Sequence, residues 1–70
     1  MYYIIDDTHM IYGVASTVKG AIKNATKCSS RGELKSEIAL GNIMMYLEDP
    51  GTATFEKNKP VPISEVLAYL

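Results

Sequence analysis

The chain has 70 residues, of which 47% are hydrophobic and 21% are charged, and its formal net charge is −1. This length supports one domain, so we expect residues 1–70 to form a single small domain. The composition argues against disorder, and every apolar run is too short to cross a membrane. With one cysteine, the chain cannot form an internal disulfide. Asp6 and Asp7 interrupt the first apolar run, whereas a secretory signal has a continuous apolar region. We therefore expect a soluble, cytoplasmic protein.

The N-terminal region has the pattern of a β-hairpin. Residues 2–5 are aromatic or β-branched, which is typical of a strand. Residues 6–9 favour a turn, because an aspartate side chain can accept a hydrogen bond from the backbone two residues further on. Residues 10–14 are then expected to form the returning strand.

A helix is expected to follow, from about Thr17 to Cys28. Ser16 or Thr17 can cap its start by accepting a hydrogen bond from a free backbone N–H. The apolar residues recur at steps of three and four, which predicts one buried stripe. This stripe consists of Val18, Ala21, Ile22, Ala25 and Cys28. Cys28 is accordingly expected to be a buried and inert packing residue.

The central region, residues 34–48, fits two interpretations. As strands, residues 34–40 and 43–48 would flank a tight hairpin turn at Gly41-Asn42. As a helix, the same region would place Leu34, Ile38, Gly41 and Met45 on one face. We favour strands, because a turn at residues 49–51 and a β-rich segment at residues 52–56 would continue a meander.

The C-terminal region is expected to begin with an extended connector at residues 57–62, stiffened by two prolines. Ser64 can then cap a short apolar helix that ends at Leu70. These elements predict the α+β class: a small antiparallel sheet (β-hairpin, helix, further strands, short C-terminal helix) packed on one main helix. The order is β-β-α-β-β-β-α, or β-β-α-α-β-α if residues 34–47 are helical.

The residues that could carry chemistry are few. Three pairs of carboxylates are close in sequence: Asp6 with Asp7, Glu33 with Glu37, and Glu48 with Asp49. Turn and surface positions account for them, because adjacent side chains of a strand point to opposite faces. One histidine, His9, and one cysteine provide neither a zinc site nor a nucleophile with its base and orienting group. We expect no enzymatic activity, no metal and no cofactor.

A basic segment stands out against the net negative charge, since residues 19–35 hold five cations and one carboxylate. The candidate basic contact face is Lys19, Lys23, Lys27, Arg31 and Lys35. A solvated helix face explains this set, and the macrodipole at a helix C-terminus would favour Lys27 and Arg31. Binding to nucleic acid is the alternative, although such proteins usually carry a net positive charge.

A second candidate surface follows from apolar residues on both sides of the predicted strands. Alternation puts Tyr2 and Ile4 on one face and Tyr3 and Ile5 on the other. One helix cannot cover both faces, so the second cover must be the C-terminal helix, another subunit or a partner protein. The candidate self-association or partner face is Tyr3, Ile5, Met44 and Tyr46.

These features favour a non-enzymatic protein-interaction module that acts by stoichiometric binding, as small phage or mobile-element inhibitors and regulators do. A homo-oligomer is expected, with a two-fold dimer favoured, together with an unidentified protein partner and no membrane. The alternatives are a nucleic-acid-binding protein that uses the basic face, and a small-ligand binder with its site between protomers. No motif in the chain resembles a known family.

Overall fold

The computed structural model describes residues 1–47 and 60–70, and the predicted turn at 49–51 and strand at 52–56 lie outside them. The described elements are β1 (Tyr2–Asp6), β2 (Ile11–Ala15), α1 (Val18–Ala25), α2 (Arg31–Ala39), β3 (Ile43–Leu47) and α3 (Ile63–Leu67). The three strands form an antiparallel sheet in the order β2-β1-β3. The α+β class is confirmed, and the described order is the alternative one, β-β-α-α-β-α.

The turn between β1 and β2 is organised by one carboxylate, as its sequence predicted. Oδ1 of Asp6 accepts hydrogen bonds from the backbone N–H of Thr8 at 2.9 Å, the hydroxyl of Thr8 at 2.7 Å and the N–H of Met10 at 3.0 Å. His9 has a φ of 63°, a left-handed conformation uncommon for a residue other than glycine. Side-chain bonds therefore hold a tight turn that contains no glycine.

Helix α1 begins as predicted and ends earlier. The hydroxyl of Thr17 caps it by accepting from the N–H of Gly20 at 3.0 Å, and the predicted stripe is buried as far as Ala25. The prediction for Cys28 is wrong, because the helix ends at Ala25 and the Cys28 side chain is exposed. The hydroxyl of Thr26 donates to the carbonyl of Lys23 at 2.6 Å, a bond typical of a helix end.

Helix α2 corrects the interpretation of residues 34–40 as a strand. Ser30 caps this helix by accepting from the N–H of Glu33 at 3.2 Å, and Leu34 and Ile38 are buried one turn apart. Gly41 has a φ of 81° and ends the helix instead of turning a hairpin. Its N–H donates to Ile38, and the N–H of Asn42 donates to the carbonyl of Glu37. This is the Schellman pattern, which needs the same glycine as a hairpin turn does.

Helix α3 is shorter than predicted and lacks the predicted cap, because Pro62 takes the capping position and no side chain bonds there. Its Val66 belongs to the same buried cluster as Ile4, Leu34 and Ile22, so all three helices pack on one face of the sheet. We call this the inner face. Although the C-terminal helix was a candidate cover for the opposite face, it packs on the inner one.

Candidate interaction face

The outer face of the sheet consists of two cross-strand rows. Strand β1 is central, and its register pairs Tyr3 with Val14 and Tyr46, and Ile5 with Ile11 and Met44. Directly paired residues project on the same side of a sheet. The face therefore brings together all four residues predicted for it, and adds two that the sequence analysis missed. These outer-face residues are Tyr3, Ile5, Ile11, Val14, Met44 and Tyr46.

The exposure of these side chains differs across the face. Ile11 is 48% exposed and Met44 is 41% exposed, whereas Tyr3, Val14 and Tyr46 are half-buried. Ile5 is only 2% exposed, so it supports the exposed side chains of its row and contributes little contact area itself. Ile11 was missed because a register shift between Ile4 and Ile5 breaks the simple alternation of β2.

The edges of the sheet are guarded better than this face. Pro60 pairs with Tyr46, and the N–H of Val61 donates to the carbonyl of Met45 at 2.7 Å, so the chain itself lines the edge of β3. On the opposite edge strand, the side-chain amide of Asn24 donates to the carbonyl of Val14 at 2.8 Å. Irregular register and occupied backbone acceptors hinder pairing with a further strand. Contacts through the face are therefore favoured over contacts through an edge.

An acidic cleft of about 490 Å³ lies between the hairpin turn and α2. It brings together two carboxylate pairs that are far apart in the sequence. Its lining includes Asp6, Asp7, Glu33 and Glu37, with Tyr12, Ser29 and Asn42 beside them. No sequence signal predicts this convergence, because it depends on how α2 packs beside the sheet.

The pKa values of two residues in this region are shifted from their ordinary values. The hydroxyl of Thr8 lowers the pKa of Asp6, and the backbone N–H of Met10 lowers it further. Partial burial raises the pKa of Tyr12, as does the negative charge of Asp6, to which its hydroxyl donates at 3.3 Å. Both shifts favour the state in which Asp6 is ionised and Tyr12 is neutral.

The structure divides the candidate basic face. All five cations are exposed, but Lys19 and Lys23 lie on α1, Lys27 follows that helix, and Arg31 and Lys35 lie on α2. Arg31 is the first residue of α2, so the favourable C-terminal macrodipole predicted for it does not apply. The even four-residue spacing in the sequence therefore does not correspond to one helical stripe.

Within residues 1–47 and 60–70, no three His, Cys, Asp or Glu side chains are placed to hold a metal ion. No helix of this part of the chain is long and apolar enough to cross a membrane. Comparisons with protein-family models, curated proteins and solved structures give no match.

Proposed function

We propose that the protein is a non-enzymatic interaction module that forms a two-fold dimer through the outer face of its sheet. The observation that carries this proposal is the composition of that face, whose six described side chains are all aliphatic, aromatic or thioether. All three described helices pack on the inner face, so none of them covers the outer one. Apolar surface removed from water stabilises a complex by about 25 cal/mol per Å².

A second copy is a suitable partner for this face. Sheets pack face to face through alternating apolar side chains, and a two-fold axis presents the same patch on both subunits. The guarded edges also favour a closed pair over a continuous sheet that would add strands without limit. On this proposal another protein binds stoichiometrically, either to the dimer or to the outer face in place of the second copy. The protein thereby acts as an inhibitor or regulator.

The test is a charge placed in the middle of the outer face. Tyr3→Lys should convert the dimer to a monomer, because the free-energy cost of burying an unpaired ammonium group exceeds the stabilisation from the apolar contacts. Tyr69→Lys makes the same change at a tyrosine that is 46% exposed beyond α3, and should leave the dimer intact. Sedimentation equilibrium over a range of micromolar concentrations measures both.

Wild type and Tyr69→Lys should have twice the 7.7 kDa mass of one chain at high concentration. A wild-type mass of one chain at every concentration would overturn the dimer and leave another protein as the cover for this face. A dimer that Tyr3→Lys does not disturb would assign the contact to a different surface.

A further inference from the structure

The outer face by itself is small for a stable dimer. Three strands of five residues, spaced at about 4.8 Å with a rise of about 3.3 Å per residue, span roughly 240 Å². Specific interfaces bury about 800 Å² on each partner. Even if side-chain relief doubles the area of the face, a dimer of ordinary stability requires adjoining apolar surface.

An apolar groove adjoins the face across the edge of β3. It has a volume of about 300 Å³ and lies between the end of α2, β3 and the segment that leads into α3. Among the residues that the structure describes, none that lines the groove has a polar side chain. One wall of the groove is formed by the segment Pro60, Val61, Pro62 and Ile63, of which Ile63 is 49% exposed.

Met44 joins the two surfaces. It pairs with Ile5 in the outer face, lines the groove and is 41% exposed. The backbone bond from Val61 to Met45 holds the groove wall against the edge of β3. The outer face and the groove therefore form one continuous apolar surface that bends around this edge. Methionine side chains adapt readily to the shape of a partner.

We infer that the dimer interface extends from the outer face into this groove, where apolar side chains of the second copy are buried against Met44 and Ile63. This inference rests on the proposed dimer and names the additional contact that the dimer needs. The second copy is the occupant because the area of the face falls short, and because the groove is the apolar surface continuous with it. Two-fold symmetry buries both grooves at once.

The experiment compares two variants near α3 in the full-length protein. Ile63→Ser removes an apolar group from the groove wall, and Tyr69→Ser makes a comparable truncation at a residue of similar exposure that does not line the groove. Sedimentation equilibrium gives the dimer dissociation constant of each variant, and circular dichroism checks that each remains folded.

Ile63→Ser should weaken the dimer by at least about tenfold, the effect of truncating one of the few interface residues that carry most of the binding energy. Tyr69→Ser should change the dissociation constant by less than about threefold, the effect expected away from an interface. If both variants dimerise like the wild type while Tyr3→Lys is monomeric, the groove is not part of the interface and the proposed function stands. A monomeric wild type overturns the inference together with the dimer.

Discussion

The two faces of the sheet have similar composition but different surroundings. On β1, Ile4 projects to the inner face and is fully buried with residues from all three helices. Its neighbour Ile5 projects to the outer face. The cross-strand row that contains Ile5 ends in the exposed side chains of Ile11 and Met44. Apolar residues on both sides of a strand therefore predict two contact surfaces, and only the topology decides which one the chain covers itself.

The inner face depends on close approach between β2 and α1, which gives the largest expected effect. A Cβ at Gly13 would clash with the carbonyl oxygen of Ala21 and lie 2.6 Å from the backbone nitrogen of Ala25. Gly13→Ala should therefore destabilise the fold by about 3 kcal/mol or more, because neither backbone atom can move independently of the helix. In a small domain of about 5 kcal/mol total stability, this would remove more than half of the free energy of unfolding.

Gly32→Ala is the matched control for Gly13→Ala. Gly32 lies in α2, and no atom of the described residues is within 4 Å of the position of its Cβ. Alanine there should stabilise the protein by up to about 1 kcal/mol through helix propensity. Urea unfolding followed by circular dichroism measures both variants. Equal stability of the two would mean that α1 does not pack against β2 as described.

Two adjacent methionines separate the faces more directly, because the same substitution should have a large effect at one and a small effect at the other. Met45 is 2% exposed within the inner cluster, and Met44 is 41% exposed on the outer face. Met45→Ala should reduce the free energy of unfolding by about 2–5 kcal/mol at any protein concentration. Met44→Ala should alter it by less than about 1 kcal/mol in dilute solution, with a larger loss only where the wild type is dimeric.

Urea unfolding at a low and a high protein concentration checks this pair. Because the substitutions are chemically identical and the positions adjacent, differences in propensity between them are small. A loss at Met44 as large as that at Met45 and independent of concentration would show that the outer face is buried within the single chain.

Local signals account for what the sequence could predict. Asp6 and Thr17 act through hydrogen bonds to residues two to four positions away, so their residue types predicted the turn and the cap. The stripe on α1 repeats within one helix, so its spacing predicted the buried face. Residues 34–40 were assigned wrongly because Leu34 and Ile38 satisfy both a strand and a helical repeat, while Gly41 suits a hairpin turn and a helix end equally. Ser30, which caps the helix, is the local signal that would have favoured the helix over a strand.

The candidate site divides in the same way. Its four predicted residues follow from strand alternation, and the structure brings them to one face. The acidic cleft and the apolar groove could not be predicted, because each joins residues far apart in the sequence through the packing of helices beside the sheet. The convergence of Asp6 with Glu37 depends on the position of α2, which sequence spacing does not determine.

A smaller effect on stability, which depends on pH, is expected from the turn between β1 and β2. The Thr8 hydroxyl and the N–H of Met10 hold the pKa of Asp6 below its ordinary value of 3.8. A carboxylate whose folded pKa is lowered contributes stability above its unfolded pKa, and that contribution is lost as the pH falls through the folded value. The urea midpoint should therefore decline in acid below about pH 4, and Asp6→Asn should flatten this decline. Asp7→Asn keeps all the hydrogen bonds of Asp6 and should follow the wild type. If Asp7→Asn flattened the decline as much, the acid sensitivity would arise from general repulsion among the carboxylates of the cleft and not from the turn.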